Sequence, residues 1–124
     1  MSIAKVNLED ALASIGEHWR PHIVGEVNGS KLQVVKFKGE FVWHRHDDSE
    51  DVFLVLEGRL YIDLPDKTIE LEPGELLVVP RGVEHRPRAD EEVHVLNVEL
   101  MGTVNTGDAD DAGVLTAPEQ YLSR

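Results

Sequence analysis

The stretch GEFVWHRHDDSEDVFLVLEG, residues 39–58, contains two histidines one residue apart, a run of acids and an apolar segment that ends in glycine. In an extended strand, side chains i and i+2 lie on the same face, so His44 and His46 are predicted to point the same way. Two inward-facing imidazoles each need a polar partner, and one shared cation would satisfy both. From these residues alone, a metal site and an ordinary core pair stay equally open.

The sequence on both sides of this stretch consists of short β-rich segments separated by turn residues. Asn28-Gly29-Ser30 joins two of them and is a typical hairpin sequence. One strand is predicted over residues 40–46, directly around the histidines. Many short strands without helices between them predict an all-β sandwich or barrel. Several strands are apolar on both faces, so the outer face of the sheet needs cover from a helix or a second subunit.

A single short α-helix is predicted near the N-terminus. Asn7 is a suitable N-cap, and apolar residues recur at helical spacing from Leu8 to Trp19. Pro21 disfavours helical angles at the residue before it, so the helix is expected over residues 8–19. The predicted division is an N-terminal helical segment over 1–20, a β-barrel over 21–102 and an irregular C-terminal arm over 103–124, all in one domain.

Two motifs in this chain resemble those of small single-domain cupins. The first combines a glycine, His-x-His, a carboxylate and a second glycine, and here it contains Gly39, His44, His46 and Gly58, with one residue fewer than usual before the first histidine. The second is a glycine, Pro-x-Gly, a histidine and an asparagine. It contains Gly74, Pro80, Gly82 and His85, while position 89 is alanine where the family has asparagine.

The resemblance covers residues 39–89 and implies a double-stranded β-helix, a jelly-roll barrel of the RmlC-like type. It also implies a divalent metal ion held by His44, His46, His85 and one carboxylate. The family position for that carboxylate is Asp51, where glutamate is usual. Glu50 has the longer reach but the opposite strand parity. A site with no carboxylate ligand, or an eroded site that binds no metal, also stays open, and iron, manganese, nickel and zinc are not distinguished.

The family includes oxygenases, isomerases, storage proteins and sensors, so the fold does not determine the activity. The first hypothesis is a metal-dependent enzyme that acts on a small molecule inside the barrel, oxygenase-like or isomerase-like, with the reaction unassigned. The alternatives are a non-catalytic cupin that binds or senses a small molecule or metal, and a structural dimer with a degenerate site. A homodimer is expected in each case.

The remaining charged and aromatic residues are given structural interpretations. Arg81, Arg86 and Arg88 surround His85 and are interpreted as surface charges that balance the nearby acids. The alternative is that one of them lies at the pocket mouth and binds a substrate carboxylate or phosphate. Trp43 has the opposite parity to the histidines and is expected outside the barrel, under the helix or in a dimer contact. The other three histidines are interpreted as surface or satisfied core residues; they are His18, His22 and His94.

The overall charge restricts the partners. The chain has 124 residues, a formal net charge of −12 and no cysteine. Such an acidic chain is a poor partner for nucleic-acid phosphates or an anionic membrane surface. The absence of cysteine excludes disulfides and thiolate metal ligands. No signal peptide or long apolar segment is recognised, so a soluble, cytoplasmic protein is expected.

Overall fold

The computed structural model describes residues 3–123. These residues form one short helix and seven strands, and every strand pair is antiparallel. The elements are α1 (Leu8–Ala13), β1 (His22–Val27), β2 (Ser30–Glu40), β3 (Asp51–Glu57), β4 (Leu60–Asp63), β5 (Thr68–Leu71), β6 (Leu76–Val79) and β7 (Arg86–Leu100). The predicted all-β class with a short N-terminal helix is confirmed.

The long strand β7 connects the two halves of the barrel. Its second half lies between β2 and β3, in the order β1-β2-β7-β3-β6, and its first half pairs with β4, which in turn pairs with β5. The hairpin between β1 and β2 turns at Asn28 and Gly29, both with positive φ (51° and 77°), as the sequence predicted. The turn after β3 requires Gly58, since its φ is 88° and a Cβ there would lie 2.8 Å from the carbonyl oxygen of Glu92.

Along each strand, side chains point alternately to the barrel interior and to its outer face. Phe53 and Val55 on β3 and Val93 and Val95 on β7 point inward and are buried. On β3 the intervening outward residues, Val52, Leu54 and Leu56, are also apolar. On β2, outward-facing Val34 is fully buried because α1 packs over it. The interior is thus a packed apolar core, with polar side chains concentrated at one end.

The helix is shorter than predicted. Asn7 caps it, because its side chain accepts a hydrogen bond from the backbone N–H of Asp10 at 3.0 Å, but the helix ends at Ala13 rather than at residue 19. Gly16 is a poor helix residue. Beyond it, the Trp19 backbone N–H donates to the carbonyl oxygen of Lys36 on β2 at 2.8 Å. Tertiary contacts with the barrel therefore replace the last helical turns.

The C-terminal arm folds back along the barrel. It contains turns and a 3-10 turn at Gly113–Leu115, and Tyr121 forms an isolated parallel bridge with Ile23. Gly107 packs directly against the backbone of Arg45, where a Cβ would overlap the carbonyl oxygen. Within the described residues, no helix is long and apolar enough to cross a membrane.

Candidate metal centre

The two histidines of the first motif lie on an extended segment rather than in a regular strand, so the strand predicted over residues 40–46 is wrong. β2 ends at Glu40 and β3 begins at Asp51. Between them, His44 makes an isolated pair with His85, in which each backbone N–H donates to the carbonyl oxygen of the other residue (3.0 and 2.9 Å). The Gly82 N–H also donates to the His46 carbonyl oxygen at 2.9 Å. These backbone bonds join the first motif to the second and bring the three imidazoles together.

The structure brings together the four side chains singled out in the sequence. One potential ligand atom from each of His44, His46, Asp51 and His85 lies within 4.8 Å of the others, and all four residues are buried. Asp51 is the first residue of β3, with the inward parity of Phe53, whereas Glu50 is exposed. The structure therefore places Asp51, and not Glu50, beside the histidines, while its role as the fourth metal ligand stays a prediction.

Backbone carbonyls fix the orientation of two imidazoles. Nδ1 of His44 donates to the Val42 carbonyl oxygen, and Nδ1 of His85 donates to the Val83 carbonyl oxygen, both at 2.9 Å. A carbonyl can only accept, so Nδ1 carries the proton, and in a neutral imidazole the lone pair is then on Nε2. This is the second-sphere arrangement that prepares a histidine to bind a metal through Nε2.

The inward nitrogens of His46 and His85 have no hydrogen-bond partner, although both are buried. Each lies close to Asp51 Oδ2, at 3.1 Å for His46 and 3.4 Å for His85, without the alignment of a hydrogen bond. Buried polar atoms without partners are rare and call for an explanation. A carboxylate oxygen facing imidazole lone pairs is a donor set that a divalent cation would satisfy.

The environment favours the protonation states that a metal site requires. Burial and, to a lesser extent, the neighbouring His85 lower the pKa of His44 to about 4. Burial acts to raise the pKa of Asp51, but the interaction with Glu99 and the nearby imidazoles of His46 and His85 outweigh it and hold that pKa well below its usual range. At neutral pH the group therefore contains a neutral His44 and an ionised Asp51, as metal ligands must be.

A buried polar network behind Asp51 was missed in the sequence. Asn97 Nδ2 donates to Asp51 Oδ1 at 3.3 Å, and Gln33 Nε2 donates to Asn97 Oδ1 at 2.7 Å and to Glu99 Oε1 at 3.2 Å. Burial and the hydrogen bond with Asp51 raise the pKa of Glu99 well above its usual range. Lys31 Nζ lies 3.7 Å from Glu99 Oε1. The available signal was strand parity, because these polar residues occupy inward positions of β2 and β7.

A small interior chamber lies against this group. Its volume is about 30 Å³, and its wall includes His44 and Asp51. The wall is aromatic in part, with Trp19, Phe37, Phe41 and Phe53, and polar in part, with Gln33, Asn97 and Glu99. Since one water needs about 10–15 Å³ by this measure, the chamber has room for about two waters.

Trp43 and the arginines near His85 lie outside this chamber. The partners predicted for the arginines, and the position of Trp43 under the helix, need correction. Arg86 and Arg88 are surface residues as expected, but their main partner is Asp63 on β4, at 2.9 and 2.8 Å, rather than the nearby acids. Trp43 is 40% exposed and lies under the Arg86 guanidinium, 5.4 Å from the ring centre, not under α1. The parity argument put Trp43 correctly outside the barrel, but α1 covers a different part of the sheet.

The sequence profile described as Cupin domain matches residues 31–99. The chain belongs to the cupin domain family. This match includes both motifs and the four converging residues. The polar network from Lys31 to Glu99 also lies inside it, so the whole candidate centre is carried by the cupin part of the chain.

A solved cupin supports the same assignment. A cupin-2 domain protein from Shewanella frigidimarina is 42% identical, with a TM-score of 0.75, over 77% of this cupin and 93% of that chain. The uncharacterised protein YdbB of Bacillus subtilis is 43% identical over 67 residues, which is 53% of this chain and 59% of YdbB. Neither description names a substrate.

One group of relatives is described as acireductone dioxygenases. The example from Puccinia graminis is 33% identical over 87 residues, which is 65% of this cupin and 45% of that enzyme. The chain therefore spans only about half the length of the curated relatives it matches. This similarity concerns the cupin region of a longer enzyme.

Proposed function

We propose that this cupin binds a divalent metal ion through His44, His46, Asp51 and His85. The observation that carries the proposal is the pair of buried, unpartnered Nε2 atoms beside Asp51 Oδ2. The carbonyl bonds to Nδ1 of His44 and His85 support it. Three imidazole nitrogens and one carboxylate oxygen suit iron(II), manganese, nickel or zinc, and this donor set does not select among them.

The proposed activity is that of a metal-dependent enzyme, of the oxygenase class, on a small molecule. A bound ion of this kind would act as a Lewis acid for a substrate oxygen and as a binding site for dioxygen. The similarity to acireductone dioxygenases supports this class and makes the ene-diol group of an acireductone the first substrate to test. The aromatic side chains in the chamber wall also support it, because they would limit the amount of water around a bound ion.

The residues around the centre have separate roles in this proposal. Asn97 holds Asp51 Oδ1 and leaves Oδ2 directed at the histidines. Glu99 holds a proton at the chamber wall, next to Asp51. Gln33 holds both Asn97 and Glu99 in place through its amide N–H groups. The chain thus supplies an oriented ligand set and a proton-bearing group that is not itself a proposed ligand.

The test combines metal analysis with oxygen uptake. Untagged protein is expected to contain about one metal ion per chain, and the His44→Ala, His46→Ala double variant is expected to lose it. Iron(II)- or nickel(II)-loaded protein is then supplied with an ene-diol while oxygen consumption is recorded, with the double variant as control. Equal trace metal in both proteins would refute the site, whereas stoichiometric metal without turnover of any ene-diol would refute the proposed reaction only.

A non-catalytic function is the second candidate, and the small chamber favours it. About 30 Å³ is far below the volume of a typical small-molecule pocket, which is about 300–1,000 Å³. In that case the barrel would hold or sense the metal ion itself. Tight, reversible metal binding without oxygen uptake would favour this function over the oxygenase.

Two further expectations belong to this proposal, a cytoplasmic location and a homodimer. The chain contains no cysteine, which fits a reducing compartment. On the outer face of the sheet, Leu76 and Val78 on β6 remain exposed next to half-buried Val52 and Leu54 on β3. A second copy of the chain could cover these side chains through an isologous contact.

A further inference from the structure

The chamber is one side from which a ligand could approach the proposed metal ion. His44 and Asp51 form part of its wall. A wider surface groove of about 400 Å³ also reaches His46, but the metal-facing Nε2 of His46 is buried and has no contact with solvent. What limits the size of the chamber therefore also limits what can reach the ion from this side.

Trp19 closes the chamber on the side of the N-terminal segment. Its ring stacks on Phe37 and Phe41, with centroid separations of 4.4 and 4.7 Å, and the residue is 8% exposed. Its Nε1–H donates to the Lys38 carbonyl oxygen at 2.9 Å. The indole is thus clamped between the chamber and the surface.

The backbone of Trp19 indicates that this position is not ordinary core packing. Its φ is 65°, in the left-handed region that is a genuine outlier for a bulky residue. Such strain persists only where surrounding contacts enforce it, and it is concentrated at functional sites. The residue also lies in the irregular segment between α1 and β1, where its backbone N–H donates to the Lys36 carbonyl oxygen on β2 at 2.8 Å.

We propose that Trp19 sets the size limit for ligands that reach the metal group from the barrel interior. With the indole in place, the chamber takes dioxygen or water and excludes ring-sized molecules, so a larger substrate of the proposed oxygenase would have to approach from the surface groove that His46 lines. The proposal rests on the proposed function, since it concerns access to the same centre. It makes Trp19 a specificity-determining residue rather than a metal ligand.

The test compares a diatomic and a ring-shaped ligand on the iron(II)-loaded protein without oxygen. Nitric oxide and imidazole are titrated into the wild type, Trp19→Ala and Trp19→Phe, and binding is followed by the spectrum of the iron centre. Nitric oxide is expected to bind all three. Imidazole is expected to bind Trp19→Ala at least about tenfold more tightly than the wild type, with Trp19→Phe between them. Trp43→Ala is the matched control and is expected to behave as wild type, since Trp43 has no place on the chamber wall.

A metal-free measurement separates this proposal from the proposed function. Indole is added to the metal-free wild type and Trp19→Ala, and binding is measured by ligand-observed NMR and by the shift in melting temperature. Indole is expected to bind and stabilise only the variant, because it refills the space of the missing side chain. If Trp19→Ala does not fold, Trp19→Leu replaces it in both the imidazole and the indole measurements.

Failure of the proposed function and failure of the Trp19 proposal give different results. If no protein binds iron, the proposed function fails, and the indole measurement alone decides whether Trp19 closes the chamber. Imidazole binding to wild type within twofold of the variant would overturn the proposal. Failure of indole to bind a folded variant would overturn it as well.

Discussion

At the residue scale, the important feature is the short carboxylate at position 51. Aspartate is one methylene shorter than the glutamate usual in the family motif, so its direction depends more strongly on its neighbours. The structure provides that direction through Asn97, which donates to Oδ1 at 3.3 Å and to the Val52 carbonyl oxygen at 3.1 Å. Oδ2 is left beside the two unpartnered imidazole nitrogens. Asn97 is therefore expected to matter for metal binding without touching the ion.

Replacing Asn97 with leucine is expected to weaken metal binding about 10- to 100-fold, because Asp51 loses the bond that directs Oδ2. Isothermal titration with zinc, and the spectrum of the cobalt(II)-substituted protein, would measure the change.

Val95→Ala is the matched control, since Val95 is an inward, buried residue of the same strand without a polar contact to the site. It is expected to lower the unfolding free energy by about 0.5–3 kcal/mol and leave metal affinity unchanged. Equal metal affinity in Asn97→Leu and wild type would refute the positioning role.

At the element scale, an ion cluster joins β4 to the first half of β7. Asp63 receives hydrogen bonds from Arg86, Arg88 and Thr68. Burial acts to raise the pKa of Asp63, but the bonds from Arg88, Thr68 and Arg86 outweigh it and lower the pKa to about 2. The strand pairing β4–β7 extends over only three residue pairs, so this cluster is a substantial part of the contact between the elements.

The Asp63 cluster predicts a specific dependence of stability on pH. A carboxylate whose pKa is lower in the folded chain than its ordinary value of 3.8 stabilises the fold above that value. This stabilisation is lost as the pH falls through about 2. The unfolding free energies of wild type and Asp63→Asn, measured by urea denaturation, are expected to differ at pH 5 to 7 and to converge as the pH falls below about 4. Parallel curves down to pH 2 would show that Asp63 does not contribute in this way.

At the element scale, comparing the predicted elements with the observed ones shows which features a single sequence can reveal. Alternation and turn residues located β1 to β6 and the second half of β7, and motif spacing selected Asp51, because both depend on local geometry. The first half of β7 was not predicted, since the charged residues 90–92 interrupt the apolar alternation. The segment carrying His44 and His46 was wrongly predicted as a strand, since its conformation depends on distant backbone bonds to His85 and Gly82. Trp19 followed the helical pattern, but its ring packs on Phe37 and Phe41 instead. The polar network was overlooked because its members are far apart in the chain and become neighbours only through the pairing of β2 with β7.

At the scale of the whole molecule, the barrel has two different faces. Its interior is closed by core packing and by the C-terminal arm, whereas its outer sheet is covered by α1 only in part. Leu76 is 58% exposed and Val78 is 44% exposed, and half-buried Val52, Leu54 and Val98 lie on the same face. A contiguous apolar surface of this kind is typical of an interface.

This outer face leads to a test of the proposed homodimer. The wild type is expected to sediment as a dimer at micromolar concentration. The Leu76→Glu, Val78→Glu double variant is expected to dissociate at least about 100-fold more readily, because an isologous contact would bring the new carboxylates of both copies together.

Val114→Glu on the C-terminal arm is the control for added charge, since Val114 is 93% exposed and distant from β6 in the sequence. This variant is expected to leave the dimer intact. Circular dichroism would confirm that both variants retain the strand content of the barrel. A monomeric wild type would refute the dimer, and a double variant as dimeric as wild type would show that the two chains meet on another surface.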